Sequence, residues 1–389
     1  APKPSVGQGA WRERITPPAV PAFAPEVVAK FKEVMDGDKA MVVTHILAYA
    51  PDRGPAAQPR MMTRFLYNVY PNAGAEVFGS LPGDVSYEER GWRALEGELL
   101  TSVRDEMKAA PPGAPYTHLV IGSMGWDNDQ VECLRRFNAV LDQTRAAAGR
   151  DRGVFNPLFV GITWPSVWGG PSWFDLGTLT RKVLGYANKA DDADEIGFTL
   201  GNWIVNRLGT EAKTVQPRIR LVVFGHSFGA RLTSQALFSR ALVRPPPARS
   251  PVDLYVALQG AFSVRRFIKG QGDEGSPYAD VGTLTAQGLR VILTASSHDE
   301  ANPLARLISG AHHVGGSAGP ATARKLAPAM FDFVGVEPDG TLKTVKEATR
   351  VIYVDASPIV NEHSDVLDLE AGNLVWSAIR TFAPATPGR

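Results

Sequence analysis

Cysteine is nearly absent from this sequence: Cys133 is the single one among 389 residues. One thiol excludes an intrachain disulfide and any zinc site built from several cysteines. Because Cys133 lies in the helix-like stretch QVECLRRFNAVL, we expect it to be a small buried apolar side chain. The adjacent His312 and His313 have no third ligand at a suitable spacing, so we expect no metal.

The sequence also lacks an excess of charge of either sign. Its 41 lysine and arginine residues are balanced by 40 aspartate and glutamate residues, with no long run of one sign. This balance argues against a nucleic-acid partner and against a polybasic membrane-binding patch. No segment approaches the ~20 apolar residues that a membrane-spanning helix requires, so we expect no integral membrane segment. The sequence does not indicate the oligomeric state.

An initiator methionine is missing too. The chain opens APKPSVGQGAW, and an alanine followed by a Pro/Ala-rich lead is what a removed secretory signal peptide leaves behind. We therefore expect a secreted or periplasmic protein. A chain trimmed for another reason would begin in the same way, so a cytoplasmic location stays open. Residues 1–25 are rich in proline and are expected to form an extended N-terminal arm.

Short apolar segments rich in β-branched residues recur along the rest of the chain and predict eight β-strands. These are residues 41–49, 63–70, 117–123, 156–164, 219–225, 253–259, 289–296 and 349–355. From the third strand onward the connectors have helical patterns; residues 127–149, for example, place several apolar side chains on one face. Strands that alternate with helices predict an α/β fold, with a mostly parallel sheet covered on both faces.

Three connectors are longer than a simple crossover needs. They cover residues 165–210, 262–288 and 301–348, and each follows a predicted strand. Long connectors of this kind are usually lids, binding loops or caps, and we expect them to gather at one end of the sheet. Residues 26–389 are therefore expected to form a single domain with these three insertions.

The pattern G-x-S-x-G occurs twice. Residues 225–229, GHSFG, follow the strand-like IRLVVF and lead directly into a helical pattern. A serine on such a strand–turn–helix elbow has a strained backbone, with glycines on either side because larger side chains would collide. Residues 315–319, GGSAG, follow no predicted strand and precede a proline, so Ser317 is expected in a flexible loop. The context favours Ser227 as the nucleophile and leaves Ser317 as a chance match.

At these residues the chain resembles the α/β-hydrolase superfamily, and the resemblance covers most of residues 40–382. The eight predicted strands, with the GHSFG elbow after the fifth, are similar to the plan of its serine esterases and lipases. The resemblance implies an α/β-hydrolase fold, with an eight-stranded, mostly parallel sheet, helices on both faces and cap or lid insertions. It also implies a serine, a carboxylate and a histidine in that chain order.

In that superfamily the acid usually follows the seventh strand and the histidine the eighth. His363 lies after the last predicted strand, is expected to open the final helix, and would accept the serine proton. Asp299 is the first carboxylate after the seventh strand and would orient His363. Glu300 and Asp355 stay open as alternative acids, and Asp299 could instead cap a short helix that begins near residue 301. Structural roles are expected for three other histidines: His45, His118 and His226.

Acyl transfer needs hydrogen-bond donors for the oxyanion that forms on the substrate. The resemblance implies the backbone N–H of Phe228, the residue after the nucleophile, as the first donor. The loop IGSMGWDND is similar to the family's His-Gly-x element, with Met124 in the place of the histidine. This alignment implies the N–H of Trp126 as the second donor. The alternative is that Gly125 and Trp126 form a plain strand-to-helix turn.

Tryptophan is concentrated after the fourth predicted strand, in ITWPSVWGGPSWF. Trp164, Trp168 and Trp173 could line an apolar pocket for an acyl or aromatic group. They could also form a packed cap over the core, and the sequence favours neither interpretation.

These residues together predict a serine hydrolase of carboxylic esters. Ser227 would attack the ester carbonyl, His363 would transfer the proton, and water would release the acid from an acyl-enzyme. This chemistry needs no metal or organic cofactor, and its partner is a small-molecule ester. An amidase, thioesterase, peptidase or acyltransferase could use the same residues. Outside the enzymes, the alternative is a binding protein of the same fold with a vestigial triad.

Overall fold

The computed structural model describes residues 45–49, 99–110, 113, 115–125, 130–149, 153–164, 190, 192–194, 196–242, 247–271, 276–299 and 312–385. The predicted N-terminal arm, residues 1–25, and the second predicted strand, residues 63–70, lie outside these ranges. Every helix within them is too short or too polar to cross a lipid bilayer.

Eight β-strands in the described ranges form one sheet. They are β1 (His45–Tyr49), β2 (His118–Ser123), β3 (Pro157–Thr163), β4 (Arg220–His226), β5 (Leu254–Leu258), β6 (Arg290–Ala295), β7 (Phe331–Gly335) and β8 (Val351–Asp355). Their order across the sheet is β1-β3-β2-β4-β5-β6-β8-β7. β1 runs antiparallel to β3, and the other neighbouring pairs are parallel. Parallel neighbours need crossover connections, which is why strands and helices alternate along the chain.

The central strand β4 shows how the sheet becomes buried on both faces. Leu221 and Val223 pack into the core on one face, and Val222 and Phe224 pack into the core on the other. Successive side chains of a strand alternate between the two faces of a sheet. A continuous apolar run such as LVVF therefore covers both faces at once, as is usual for a parallel sheet between helical layers.

Seven α-helices are described, and they lie on both faces of the sheet. They are α1 (Leu100–Ala109), α2 (Gln130–Ala148), α3 (Gly209–Val215), α4 (Phe228–Phe238), α5 (Val281–Ala286), α6 (Ala318–Leu326) and α7 (Leu369–Phe382). α2 and α7 pack against each other on one face. α4 packs on the other face, together with two π-helical segments, Gly197–Gly201 and Trp203–Leu208. Cys133 is buried within α2, as expected.

A cluster of ion pairs fixes part of the first predicted insertion against α4. The Asp194 carboxylate accepts a hydrogen bond from Arg231 at 2.6 Å and two from Arg266 at 2.9 and 2.7 Å. Burial alone would raise the pKa of Asp194, but the two guanidinium groups outweigh it and hold that pKa below its usual value. Asp194 is thereby held against α4.

The described architecture is an α/β fold, and the prediction of a mostly parallel sheet covered on both faces is confirmed. Two parts of the chain differ from expectation. Around Ser317 the sequence predicts a flexible loop, but this serine occupies the N-cap position of α6, without a side-chain capping hydrogen bond, and β7 follows α6 at the edge of the sheet. Pro320, which suggested a loop, lies in the first turn of α6, where a helix tolerates proline because the N–H there needs no intrahelical acceptor.

The final helix also begins later than the sequence predicts. α7 starts at Leu369, six residues after His363. The carboxylate of Asp365 accepts hydrogen bonds from the backbone N–H groups of Asn361 and Glu362 at 2.7 and 2.8 Å. These bonds hold the segment before α7 in a tight turn, so His363 lies just before the short 3-10 helix Asp365–Leu367 and not at the N-terminus of α7.

Candidate active site

Ser227 lies on the sharp turn between β4 and α4. Its φ of 57° and ψ of −123° are values that side-chain-bearing residues seldom adopt. In the described part of the chain, Gln259 is the other non-glycine residue with a positive φ, at 41°. A strained backbone of this kind persists where the surrounding structure enforces it, and such positions cluster at active sites.

Two glycines make the elbow possible. A Cβ atom on Gly225 would lie 2.4 Å from both the Gly229 carbonyl oxygen and the Thr233 hydroxyl. A Cβ atom on Gly229 would lie 2.2 Å from the carbonyl oxygen of Ser123, at the end of β2. Neither position has room for a side chain, so the G-x-S-x-G spacing follows from the packing of α4 against β2 and β4.

The segment after β5 holds the elbow in place. The Ser227 N–H donates to the Leu258 carbonyl oxygen at 3.1 Å, and the Ala261 N–H donates to the Ser227 carbonyl oxygen at 3.0 Å. The N–H of Gln259, between them, donates to the Thr294 hydroxyl at 3.0 Å. The strained backbone is therefore bonded on both sides of the serine.

The structure brings Asp299 and His363 together. His363 Nδ1 donates a hydrogen bond to Asp299 Oδ2 at 2.8 Å. The Asp299 side chain is fully buried, whereas 27% of the His363 side chain is exposed. Since the carboxylate can only accept, the proton of the neutral imidazole lies on Nδ1, and Nε2 is the nitrogen that can take up another proton.

The two alternative acids have different surroundings. Asp355 is exposed and accepts hydrogen bonds from the N–H and the hydroxyl of Ser357 at 3.1 and 2.6 Å, in the turn after β8. Glu300 lies outside the described residues. Of the three candidates, the structure pairs Asp299 with His363.

Hydrogen bonds between the loops after β6 and β8 maintain this pairing. The Ser296 hydroxyl donates to the Val360 carbonyl oxygen at 2.6 Å, and the Ala356 N–H donates to the Ala295 carbonyl oxygen at 2.8 Å. The loop that carries the acid and the loop that carries the histidine are therefore fixed to one another.

His226 contacts His363, a relationship that the sequence did not reveal. Its Nε2 donates to the His363 carbonyl oxygen at 2.9 Å, and the centroids of the two rings lie 4.6 Å apart. Burial lowers the pKa of His226 well below its usual value, and the neighbouring His363 lowers it further. His226 therefore stays neutral in the native protein, with its proton on Nε2.

His226, which precedes Ser227 in the chain, links the elbow to His363. Within the residues that it describes, the structure records no hydrogen bond between the Ser227 hydroxyl and the His363 imidazole. Catalytic hydrogen bonds are often long before substrate binds and shorten in the Michaelis complex. The described contacts thus join the histidine to the acid and to the residue that precedes the serine.

Phe228, the first predicted oxyanion donor, and Gly125 both lie beside Ser227. Phe228 is the first residue of α4, so its N–H lies at the positive end of the helix dipole, where an anion is stabilised. Gly125 borders the serine on the other side: a Cβ atom there would lie 2.5 Å from Ser227 Cβ and 2.9 Å from its Oγ. Trp126 lies outside the described residues, and the role of its N–H stays a prediction.

Of the three tryptophans predicted to line a pocket or form a cap, Trp164 is described, and Trp168 and Trp173 lie outside the described residues. Trp164 is 2% exposed, and its indole N–H donates to the Met124 carbonyl oxygen at 2.9 Å. Its ring packs edge-on against Phe228, with 6.5 Å between centroids. Trp164 is therefore packed between the two segments that flank the serine.

The second G-x-S-x-G sequence has a different geometry. Ser317 has φ −58° and ψ −27°, which are ordinary helical values without strain. It lines a cleft of about 370 Å³ beside the carboxyl ends of β6, β7 and β8, with Arg324 and Asp355. The shared pattern therefore does not produce a second elbow.

No protein-family model matches the chain, and no curated protein is significantly similar to it. Among solved structures, it is similar to XC6422 from Xanthomonas campestris, described as an α/β serine hydrolase without a lid, at 14% identity and a TM-score of 0.32. That similarity covers 72% of this chain and 88% of the other.

A second solved structure, TT1662 from Thermus thermophilus, is similar at 14% identity and a TM-score of 0.34, covering 69% of this chain and 89% of the other. Likenesses this low do not bear on mechanism or substrate.

Proposed function

We propose that this protein is a serine hydrolase that cleaves carboxylic esters through Ser227, His363 and Asp299. The observation that carries the proposal is the combination of a strained elbow serine with a 2.8 Å hydrogen bond between His363 and the buried carboxylate of Asp299. The three residues follow β4, β8 and β6, and the carboxyl ends of parallel strands meet at one edge of a sheet, where ligands bind in open α/β folds.

In the proposed reaction Ser227 Oγ attacks the ester carbonyl carbon while His363 Nε2 takes up the hydroxyl proton. The Phe228 N–H, and by the predicted alignment that of Trp126, stabilise the oxyanion of the tetrahedral intermediate. When the intermediate collapses, His363 returns the proton to the leaving alcohol. Water then attacks the acyl-enzyme with the same histidine as its base, and the carboxylic acid leaves. Asp299 keeps the His363 proton on Nδ1 and stabilises the imidazolium.

The proposal is tested with p-nitrophenyl esters of increasing acyl length. Wild type is compared with Ser227→Ala and with Ser317→Ala, which removes the serine of the unstrained motif. Loss of a triad serine lowers turnover by up to about a million-fold, far more than a change in stability could. We expect wild type and Ser317→Ala to hydrolyse the esters and Ser227→Ala to be inactive.

A fluorophosphonate probe extends the test beyond p-nitrophenyl esters, because it labels an activated serine whatever acyl group the enzyme prefers. Hydrolysis retained by Ser227→Ala would refute the assignment of Ser227 as the nucleophile. A wild type that neither hydrolyses the esters nor reacts with the probe would refute the proposal that this protein is a serine hydrolase. Labelling without ester hydrolysis would replace the ester in the proposal by an amide or a thioester.

A further inference from the structure

We propose that Trp164 is a positioning residue that holds the backbone of Met124 and Gly125, which leads to the expected second oxyanion donor, against Ser227, rather than a wall of the substrate pocket. The inference rests on the proposed function, because it concerns how that reaction's oxyanion hole is assembled.

The first observation is the hydrogen bond from the indole N–H to the Met124 carbonyl oxygen, at 2.9 Å. Both residues are buried, at 2% and 0% exposure, so water does not compete for this bond. Breaking it would leave a buried donor and a buried acceptor unpaired, which is unfavourable for each group. The indole therefore fixes the direction of the Met124 carbonyl group.

Fixing this carbonyl group also fixes the peptide that leads to Gly125. The peptide unit is planar and trans, so its N–H points away from the carbonyl that Trp164 holds. Gly125 is the residue whose Cα borders the Ser227 side chain. Trp164 therefore sets the orientation of the backbone beside the nucleophile, in the loop from which the second oxyanion donor is expected.

The second observation is that Trp164 also contacts the other side of the expected oxyanion hole. Its ring packs against Phe228 at an angle of 81°, and Phe228 N–H is the first predicted donor. Just before Trp164, the ends of β2 and β3 are joined by the Ser123 hydroxyl, which donates to the Ile162 carbonyl oxygen at 3.1 Å. The rigid indole of Trp164 thus contacts both Met124 and Phe228, in the two segments that are expected to carry the oxyanion donors.

A positioning role and a pocket role predict different kinetics. A pocket wall contacts the acyl group in both ground state and transition state, so its loss raises KM or changes chain-length preference. A residue that aims oxyanion donors acts where charge develops, so its loss lowers kcat with KM unchanged. The burial of Trp164 leaves little surface for an acyl chain to touch.

The experiment compares Trp164→Phe, which keeps an aromatic ring but removes the N–H, with Trp376→Phe as the matched control. Trp376 is also buried and packs against Phe155, on α7 and outside the site. Replacing Trp164 by benzothienylalanine, which has sulfur in place of the indole N–H, gives a variant of nearly unchanged volume. The measurements are kcat and KM for p-nitrophenyl esters of two chain lengths, and the rate of fluorophosphonate labelling.

We expect both Trp164 variants to lower kcat and the labelling rate by about tenfold or more, less than the 10²–10³ of a deleted donor. KM and chain-length preference should stay within twofold, and Trp376→Phe should match wild type. Unchanged kcat in the benzothienylalanine variant, or a changed chain-length preference at full kcat, would overturn the positioning role. If wild type is not labelled at all, the proposed function itself fails, and this inference fails with it.

Discussion

The imidazole of His226 lies 4.6 Å from that of His363 and donates a hydrogen bond to the His363 carbonyl oxygen. His226 immediately precedes Ser227, so this contact joins the elbow to the loop that carries the proposed base. The neutrality of His226 suits the position, because a second positive charge would oppose the imidazolium that forms on His363 in the proposed acyl transfer.

Replacing His226 by phenylalanine should therefore impair catalysis. The variant keeps a ring against His363 but loses the donor that fixes its backbone. A displacement of about 1 Å can cost up to 10²-fold, so we expect kcat/KM to fall about ten- to a hundred-fold. Ester hydrolysis measured beside thermal unfolding checks this, and His226→Gln, which keeps an N–H donor, should recover part of the activity. Wild-type kcat/KM in His226→Phe would show that the contact does not position the base.

Asp299 and Asp355 offer a direct comparison of two carboxylates. Asp299→Asn should lower kcat by about 10⁴, because an amide no longer holds the His363 proton on Nδ1. Asp355→Asn should stay within twofold of wild type, since Asp355 is exposed and bonded to Ser357. Steady-state kinetics of the two variants decide between them. The reverse ranking would transfer the role of the acid to Asp355.

Gly125→Ala should reduce catalysis through a direct collision. The added methyl group would lie 2.5 Å from Ser227 Cβ, so the serine or the loop has to move. We expect kcat to fall about a hundred-fold, the effect of a misplaced reacting group. Gly282→Ala is the matched control, because nothing lies within 4 Å of a Cβ atom there. An active Gly125→Ala protein would mean that this loop is not rigidly held against Ser227.

The burial of His118 should make the free energy of unfolding depend on pH. It is buried in β2, its Nε2 donates to the Ala383 carbonyl oxygen at 2.9 Å, and burial lowers its pKa from 6.5 to about 4. Between these two values the unfolded chain binds a proton that the folded chain does not. The contribution of His118 to stability is therefore complete above pH 6.5 and is lost as the pH falls towards 4. At about 1.4 kcal/mol per pH unit, the loss reaches about 3 kcal/mol.

Urea unfolding of wild type and His118→Gln at pH 7.5 and pH 4.5 measures this effect. Glutamine can donate to Ala383 but does not titrate, so the stability difference between the two proteins should shrink by about 2–3 kcal/mol at the lower pH. Carboxylates that titrate in this range affect both proteins alike and cancel in the comparison. A stability difference independent of pH would show that His118 does not remain neutral in the native state.

The local features of this protein could be predicted from its sequence. Apolar runs such as IRLVVF predict buried parallel strands, because a few consecutive residues are enough to show the apolar composition of such a strand. The elbow at Ser227 could be placed because strand, glycines and helix follow one another within a few residues. The sequence did not predict the strand at residues 331–335, because FDFVG is short and follows a stretch whose glycines and proline indicate a loop. The roles of Trp126, Trp168 and Trp173 stay predictions.

Contacts between distant residues were decided by the tertiary structure. The sequence left three acids open for His363, and the paired loops after β6 and β8 bring Asp299 to it across 64 residues. The contacts from Trp164 to Met124 and from His226 to His363 join residues 40 and 137 positions apart. No local period encodes such contacts, because they arise when parallel strands bring their carboxyl ends to one edge of the sheet. Sequence therefore determined which residues could act, and the packing of the sheet determined which of them meet.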